Sequence, residues 1–599
     1  MKTSLIPLII SLCIVGTILS SCEKKTNSLS QKTYYGVIRD NAKTLDPALA
    51  YDEVSSTITP QIYEPLFQYA YLKDPLSVEP NLAADFPIYS KDRLTVTIRM
   101  KQGIHFHDSS CFAETNGKGR EATVHDIIYQ LKRLADPRVK SNGWWILDGK
   151  IKGINDFHKA LVQAKPEQRD ELFKKPVSGL KAIDNYTLQI NLTQPYPHLL
   201  YVLSMTFTAP VPHEAIESFG NENGVLTEKQ IGTGPFILSR WSHGNEIILD
   251  KNPNYHTDFY PTEASETLKK KGLLKDAGKV LPLIDQAIFK VIKEDQPTWL
   301  QFEKGNLDFI KVPKDQYGIV LDQNKKESQL KEQGVTLHKA PGTVFYYVVF
   351  NNQDRVVGGN KYIRQALSSA INRERLNELF EGGHATVMNS PLPPSLSGYS
   401  PKEKLKFNFN LKKAKKLLEK AGFPEGKDLP TLKMDMRQAD SRARQMGEFF
   451  VKSFKKIGVN VTIVYNTFPS FLEKIRNGNY QMALGGWSLD YPDAQNVFQL
   501  LYGKNQAPGP NESNFNHPLF NRAYLKMAQL PEGKERSALI AQMNQIIQEE
   551  VPWAMLYVRN TYSVTNPWLK NKRESDLILN FLKYIRIDPK IKRRYRSTR

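Results

Sequence analysis

The sequence lacks the short motifs that mark many enzymes and metal sites. It contains no Gly-x-Ser-x-Gly, Walker A or Cys-x-x-Cys pattern, and "HEAIE" from His213 departs from the His-Glu-x-x-His zinc motif at its last position. The glycines of "GTGPF" are too few for a dinucleotide fingerprint. His105 and His107 would lie on one face of a strand with no evident third ligand. We therefore expect no catalytic residue, metal or cofactor. A zinc hydrolase using these two histidines is the remaining enzymatic alternative.

Long apolar runs are equally scarce, with one exception at the N-terminus. Residues 5–19 are almost entirely apolar, follow a single positive charge at Lys2 and end at Ser20 and Ser21. This run is shorter than the ~20 apolar residues that a membrane-spanning helix needs. Its layout is that of a secretory signal. We predict that residues 1–21 form a cleaved signal peptide.

Cysteine is rare, and Cys13, Cys22 and Cys111 are the three that occur. Cys13 lies in the predicted signal peptide. The stretch "LSSC" that ends at Cys22 resembles the lipobox of bacterial lipoproteins, in which the cysteine thiol takes a diacylglycerol and becomes the new N-terminus. The resemblance implies a lipid anchor at Cys22 with residues 22–32 as a polar tether, and a soluble exported protein is the alternative. Cys111 then has no partner for a disulfide, so the hydrophobic core must stabilise the mature chain.

Positive charge is in excess, with a formal net charge of +20 at pH 7. Such a charge leaves nucleic acid, an anionic envelope surface and acidic ligands open as partners. Most basic residues are dispersed or lie on predicted helix faces, as in "LKKAKKLLEKAG", which is typical of a solvated surface. We expect no nucleic-acid partner. The tail "KIKRRYRSTR" is the exception, and we interpret it as a frayed basic end that could touch anionic lipid.

Strand and helix periodicities alternate along the mature chain. "RLTVTIRM" alternates apolar and polar residues, as a half-buried strand does. "HDIIYQLKRLADP" places its isoleucines and leucines on one helical face and stops at Asp136-Pro137. "KYIRQALSSAINRERLNELF" and "LKKAKKLLEKAG" are predicted as helices, and the second ends at Gly422. The fold class is therefore α/β.

The most informative segment is "VNVTIVYNTFPSFLEKIRNGNYQMALGGWSLDYPD". An alternating strand, a short helix and a second strand predict a βαβ unit. Ligands of open α/β sheets gather at the carboxyl ends of strands. The second strand is followed there by "GGWSLDYPD", in which Asp490 and Asp493 could hold an ammonium group. The alternative is that Trp487 fills the core and that Asp490 caps the turn. We expect Asp493, which follows the proline, to cap the turn.

Several segments, taken in order, relate the chain to a known family. They are "TLDPALAYDEVSSTITPQIYEPLF", "EPNLAADF", "IHFHD", "ATVHDIIYQLKR", "IGTGPFILSRW", "DKNPNY", "KYIRQALSSAINRERL" with "GGHATVMNSPLPP", "KAKKLLEKAGF" and "WSLDYPDAQNVF". Each is weak alone, but their order and spacing are specific. The chain resembles the peptide/oligopeptide/nickel-type (family 5) substrate-binding proteins of ATP-binding-cassette (ABC) importers over nearly all of its mature part. The link "CFAETNGKGREAT" is longer than in the family's usual pattern.

The resemblance implies a two-lobed, periplasmic-binding-protein-like fold with an extra domain and a hinge between the lobes. It implies a monomeric, non-enzymatic receptor at the periplasm or cell surface that captures peptides and delivers them to a membrane permease and its ATPase. A nickel chelate, a muropeptide or an oligosaccharide is an alternative ligand, and a basic polyanion-binding surface protein is an alternative class. The expected domains are domain I over 33–62, 190–294 and 556–599, domain II over 63–189, and domain III over 295–555.

The resemblance also assigns candidate binding residues. In oligopeptide-binding members the aspartate of a Trp-x-x-Asp-Tyr segment pairs with the α-amino group of the peptide, and here that segment contains Trp487, Asp490 and Tyr491. Gly485 and Gly486 would permit a close approach of the ligand backbone. Weaker candidates come from "GTVFYYVVFN" beside the cleft, with core packing as their alternative role: Tyr346, Tyr347 and Asn351.

Lipidation of Cys22 is directly testable. Metabolic labelling with a fatty-acid analogue should mark the wild type and not Cys22→Ser, because the thiol is the attachment point in the lipobox. A labelled Cys22→Ser protein, or a wild type found wholly in the soluble fraction, would contradict the anchor.

Overall fold

A computed structural model describes residues 32–597, apart from positions 75, 321–329, 331, 341, 397, 400 and 401. Cys22, the predicted signal peptide and the tether before Lys32 lie outside the described residues. No helix among the described residues is long and apolar enough to cross a membrane.

The first lobe contains two four-stranded sheets around one continuous core. One sheet has the strand order Thr33–Ile38, Gln286–Val291, Glu246–Lys251 and Phe236–Ser242, with the first pair parallel. The other is antiparallel, in the order Ile88–Tyr89, Thr95–Arg99, Thr187–Asn191 and Leu180–Asp184. Two short hairpin sheets add Phe67–Tyr69 with Val78–Pro80, and Leu569–Lys570 with Arg586–Ile587. The lobe's helices are Glu53–Ile62, Val124–Ala135, Ile154–Gln163, Pro166–Lys174, Leu199–Val202, His213–Phe219, Glu266–Lys270 and Pro589–Ser597.

The second lobe is built on a six-stranded mixed sheet. Its strand order is Thr386–Val387, Trp553–Val558, Val344–Phe350, Met482–Ser488, Leu432–Met436 and Val461–Tyr465. Side chains alternate along Val344–Phe350 between two separate cores, one on each face of the sheet. The surrounding helices are Lys361–Ala370, Arg373–Glu381, Leu411–Lys420, Ser441–Lys455, Phe468–Arg476, Ala494–Phe498, Pro518–Met527 and Lys534–Glu550.

A small three-stranded sheet connects the lobes. It pairs Phe309–Lys311 and Thr336–Ala340 with opposite edges of Thr561–Thr565, beside the helices Asp295–Glu303 and Tyr317–Val320. The two chain segments that enter and leave the second lobe therefore run side by side. At Gly342 they approach so closely that a Cβ would lie 1.6 Å from the carbonyl oxygen of Arg559. Two adjacent chain segments that connect the lobes are the geometry expected of a hinge.

The local predictions from periodicity are largely confirmed. "RLTVTIRM" forms strand Thr95–Arg99 with Val96 and Ile98 buried, and the helix Val124–Ala135 ends at Asp136. Gly422 follows the helix Leu411–Lys420 with φ +90°, which is the conformation that favours glycine. In the predicted βαβ unit both strands are parallel to Leu432–Met436, which lies between them.

One predicted helix is wrong, and the predicted domain division remains open. "KYIRQALSSAINRERLNELF" forms two helices, because the Asn372 side chain accepts a hydrogen bond from the Arg375 amide and starts a new helix. The predicted domain boundaries at 189/190 and 555/556 fall inside strands Thr187–Asn191 and Trp553–Val558. The three-domain division remains a prediction.

A buried ion pair joins distant segments of the first lobe. The Arg133 guanidinium contacts both carboxylate oxygens of Asp46, at 3.2 and 2.6 Å, and both side chains are almost fully buried. Asp46 also accepts hydrogen bonds from the amides of Ala48 and Leu226. One carboxylate thus ties the N-terminal segment to a helix and to a loop.

Removing this charge should destabilise the lobe. Asp46→Asn leaves Arg133 buried without its counter-ion, and we expect the free energy of unfolding to fall by about 3–5 kcal/mol. Urea unfolding of the mature protein measures the change. Asp85→Asn, in an exposed pair with Arg99, is the control and should cost less than about 1 kcal/mol. Equal losses for the two variants would contradict a special role for Asp46.

Candidate functional site

Asp490 lies where the two lobes meet. It follows the strand Met482–Ser488 of the second lobe, and its Oδ1 accepts a 2.7 Å hydrogen bond from the hydroxyl of Tyr51 in the first lobe. Its Oδ2 accepts a 2.8 Å hydrogen bond from the side-chain amide of Asn496. The sequence separation of Tyr51 and Asp490 is 439 residues, so only the fold brings them together.

The Asp490 carboxylate has no cationic partner among the described residues. Burial raises its pKa to about 6, although the hydrogen bonds from Asn496 and Tyr51 favour the charged form. Neutral donors replace only part of the hydration that a carboxylate loses on burial.

Asn496 fixes the geometry of the segment around Asp490. Its Oδ1 accepts hydrogen bonds from the Asp490 amide at 3.0 Å and from the Trp487 indole at 3.2 Å. Trp487 is half-buried and packs against the core beneath it. Asn496 is fully buried in helix Ala494–Phe498, so it holds the carboxylate and the indole in one rigid unit.

Asp493 and Tyr491 serve the contact between the lobes. Asp493 caps helix Ala494–Phe498, as expected, and also pairs with Arg536 at 2.6 Å and with His198 of the first lobe at 3.1 Å. Burial would raise the pKa of Asp493, but the hydrogen bond from His198 and the charge of Arg536 hold it below its ordinary value. The buried Tyr491 ring stacks on Tyr201 of the first lobe at 5.4 Å. Neighbouring positive charges therefore compensate the negative charge of Asp493, whereas no described residue does so for Asp490.

The two glycines make room for side chains of the chain itself, and the close approach of a ligand backbone to them stays a prediction. A Cβ on Gly485 would lie 2.5 Å from Cε2 of Tyr347, on the neighbouring strand. A Cβ on Gly486 would lie 3.0 Å from Cδ1 of Tyr346 and from a guanidinium nitrogen of Arg437. Both faces of the strand are thus covered by side chains.

The weaker candidates have different environments. Tyr347 is buried and stacks on Trp553 at 4.5 Å, in agreement with its core-packing alternative. Asn351 is also buried, and its amide donates to the carbonyl oxygens of Gly478 and Tyr480, so it has a structural role. Tyr346 is half-buried beside Arg559, whose guanidinium lies 5.0 Å from the ring centre.

One edge of the strand Met482–Ser488 is unpaired near its end. Leu432–Met436 pairs only with Met482 and Ala483 on that side. On the other side, the Leu489 amide donates to the Thr343 carbonyl, and because antiparallel pairs alternate, the backbone groups of Gly486 and Ser488 point to the open edge. No hydrogen bond from a described residue reaches them there. The edge can accept another extended chain.

Arg437 is a site residue that the sequence reasoning missed. It follows the strand Leu432–Met436 and lies beside Gly486, with its guanidinium 5.2 Å from the centre of the Phe468 ring. No carboxylate of a described residue lies within ion-pair distance of it. Its position directly after the short alternating stretch Leu432–Met436 is the only signal for Arg437 that the sequence contains. Tyr51 was missed as well, although it stands in one of the segments that carry the family resemblance.

The two histidines do not form a metal site. His105 is exposed, whereas His107 is fully buried and its Nε2 lies 3.0 Å from the Gly234 carbonyl oxygen. Burial lowers the pKa of His107 to about 4. The segment does not form the expected strand beyond an isolated bridge at His105, and the two histidines have different environments because His107 packs against the "GTGPF" turn. Within the described part of the chain no cluster of three or more His, Cys, Asp or Glu side chains could hold a metal ion.

The chain has two lobes, two adjacent segments that connect them and a polar site between them. This arrangement defines a hinged binding protein. Residues 77–509 match the family of bacterial extracellular solute-binding proteins, family 5. The chain belongs to this family, whose members are transport receptors and not enzymes, and the predicted membership and fold are confirmed.

Individual relatives are distant but cover nearly the whole chain. The oligopeptide-binding protein OppA of Bacillus subtilis is 25% identical over 96% of this chain and 95% of its own length. Heme-binding protein A of Haemophilus influenzae is 23% identical over 89% of this chain and 88% of its own. Among solved structures, DppA of Helicobacter pylori in complex with the peptide STSA has a TM-score of 0.74 at 23% identity, covering 93% of this chain and 98% of that one.

The close packing at Gly485 predicts a measurable cost of adding one methyl group. Gly485→Ala should lower the free energy of unfolding by about 1–3 kcal/mol, because the new Cβ displaces the Tyr347 ring or the strand. Chemical denaturation measures the loss. Gly533→Ala is the control, since a Cβ there meets nothing within 4 Å. A loss at Gly485 that persists unchanged in a Tyr347→Leu background would show that the ring is not the obstacle.

Proposed function

We propose that the chain is a lipid-anchored extracytoplasmic receptor that captures short peptides between its lobes and delivers them to an ABC importer. The observation that carries this proposal is the Asp490 carboxylate, which lies between the lobes without a cationic partner among the described residues. The α-ammonium group of a peptide supplies that cation. It would replace part of the hydration that the carboxylate loses on burial.

The open strand edge supports an extended ligand. The unpaired backbone groups of Gly486 and Ser488 would pair with the main chain of a peptide added as a further strand. Such pairing reads the ligand's backbone and leaves its side chains free to vary. The tyrosines packed on Gly485 and Gly486 stiffen the strand that accepts it.

Arg437 supports a ligand with a nearby carboxylate. Gly486 and Asp490 are four residues apart, and since the strand ends at Ser488, they are separated by at most about 13 Å. A peptide of three or four residues has a similar length, so one whose amine meets Asp490 can place its carboxylate beside Arg437. The alternatives of a nickel chelate or an oligosaccharide would leave one of these two charges unused.

Relatives give independent support for the ligand class. OppA of Bacillus subtilis is named for oligopeptides, and DppA of Helicobacter pylori was solved with a tetrapeptide. Others differ, since MppA of Escherichia coli is a murein tripeptide binding protein and one Haemophilus relative is named for heme. A muropeptide also has an amine and carboxylates and remains within the proposed class.

Anchoring and delivery complete the proposal. A lipid on Cys22 would confine the receptor to the membrane that holds the permease and would raise its effective concentration there. The polar tether 22–32 would let the lobes turn toward the permease. In this scheme domains I and II form the first lobe and domain III the second, with closure about the hinge.

A double cycle tests the pairing of Asp490 with the ligand amine. Calorimetry should show that Asp490→Asn weakens binding of tri- and tetrapeptides by tens- to thousands-fold, because truncating a buried charge pair costs about 2–5 kcal/mol. N-acetylation of the peptide should weaken binding to the wild type as well. The two changes combined should cost much less than their sum, since each removes the same interaction.

The control is Glu53→Gln, because Glu53 stands near Tyr51 but already pairs with Lys311 at 3.0 Å. We expect little change in affinity for this variant. Additive losses in the double cycle would mean that the amine binds elsewhere. Binding of heparin with steep salt dependence, and of no peptide, would favour the polyanion-binding alternative.

A further inference from the structure

The C-terminal segment of the chain forms a helix that is rich in positive charge. Helix Pro589–Ser597 contains five lysines and arginines and no acidic residue. Asp588 starts the helix, because its side chain accepts hydrogen bonds from the amides of Lys590 and Ile591, and Pro589 fits the first helical position. The expectation of a frayed end is therefore wrong for these residues.

One face of this helix is fixed on the first lobe. Lys592 is buried, and its Nζ donates to the carbonyl oxygen of Thr33 at 3.2 Å and to the Asp308 carboxylate at 2.8 Å. Almost one turn further along, the Tyr595 ring packs edge-on against Trp568, with the ring centres 4.9 Å apart. These contacts to separate segments of the lobe set the orientation of the helix.

The opposite face is exposed and basic. Lys590, Arg593 and Arg594 follow the spacing i, i+3 and i+4, so they share one side of the helix, and all three are exposed. Glu303 and Lys304 are also exposed, in the segment before the carbonyl group that the Arg596 side chain contacts, and they carry opposite charges. That segment therefore leaves the net charge of this surface positive.

The helix lies where the chain leaves the first lobe toward Cys22. Thr33, which accepts the hydrogen bond from Lys592, is the first residue of the edge strand Thr33–Ile38. The tether 22–32 joins this strand to Cys22, and its 11 residues span at most about 40 Å when fully extended. A lipid at Cys22 would therefore hold this end of the lobe, and the basic face with it, near a membrane.

We propose that the outer face of helix Pro589–Ser597 docks on an anionic lipid surface and sets the orientation of the first lobe on the membrane. The inference rests on the proposed function, because it needs the lipid at Cys22 to keep the helix near that surface. Lysine and arginine side chains are attracted to anionic lipid within about a Debye length. The tether makes this weak attraction effective by raising the local concentration of the surface. The second lobe is then the one that moves about the hinge.

A vesicle-binding measurement isolates the helix from the natural anchor. One myristoyl chain coupled to Cys22 of the mature protein gives reversible membrane binding, with an association constant of about 10⁴ M⁻¹, so an added electrostatic contact is measurable. Cys111 is buried, which directs the coupling to Cys22. At about 0.1 M salt, sedimentation should show tighter binding to vesicles that contain about one third phosphatidylglycerol than to vesicles of phosphatidylcholine alone.

The decisive variant combines Lys590→Gln, Arg593→Gln and Arg594→Gln. It should weaken binding to the anionic vesicles by about tenfold or more, because each basic residue near such a surface contributes a factor of about five. Binding to the neutral vesicles should stay within about twofold of the wild type, since the coupled chain is unchanged.

The matched control makes the same change in net charge at three exposed lysines of the second lobe. It combines Lys412→Gln, Lys415→Gln and Lys416→Gln on helix Leu411–Lys420 and should lose less than about threefold, because screening weakens the attraction of charges far from the lipid. Thermal unfolding shows that each variant is folded.

The outcomes separate this inference from the proposed function. Equal losses for the two triple variants, or equal binding of the wild type to both kinds of vesicle, overturn the docking face. A helix variant that loses heparin binding but keeps its affinity for anionic vesicles also overturns it, in favour of a soluble polyanion. The coupled chain replaces the natural lipid, so failed metabolic labelling of Cys22 would overturn the anchor and leave the vesicle result standing.

Discussion

The site depends on one electrostatic constraint, which is a carboxylate placed between two lobes without a counter-ion among the residues that the structure describes. Tyr51 and Asn496 offer Asp490 neutral hydrogen bonds from opposite lobes, and these replace only part of its hydration. Three residues later, Asp493 has Arg536 and His198 and is fully compensated. The two aspartates thus have different roles. Asp493 stabilises the contact between the lobes, whereas no charge of a described residue compensates Asp490. On the proposed function a cationic group of the ligand compensates it.

Most residues in the segments that carry the family resemblance maintain the framework and do not face the cleft. Asp46 and Arg133 form a buried ion pair, and His107 packs against the "GTGPF" turn, where Gly232 and Gly234 leave no room for a Cβ beside the Ile62 carbonyl oxygen. These contacts join segments far apart in sequence into one lobe. Family membership follows from the framework, whereas on the proposed function a few groups at the lobe boundary determine the ligand.

Hydrophobic periodicity and helix-end residues predicted the helices and strands that a few neighbouring residues determine. The strand Thr95–Arg99, the helix that ends before Gly422 and the βαβ unit all follow from patterns of a few residues. Such patterns could predict only part of the candidate site. Asp490 could be chosen by family resemblance, but its partner Tyr51 is brought near by the whole fold. Arg437 could not be distinguished from other arginines, because the absence of a carboxylate around a side chain is a property of three-dimensional packing. The same holds for Gly485, whose missing side chain makes room for the Tyr347 ring.

The net charge of +20 says little about the cleft, because the charges there alternate in sign. Asp490 lies after the end of the open strand edge, and Arg437 lies beside Gly486. On the proposed function a ligand with opposite charges at its two ends can satisfy both groups, whereas a uniform polyanion would meet Asp490 as a repulsive group. On the proposed function, the backbone groups of Gly486 and Ser488 pair with an extended zwitterion whose two charges meet Arg437 and Asp490. On the proposed function, selection therefore comes from the spacing of opposite charges along the edge and not from the charge of the protein as a whole.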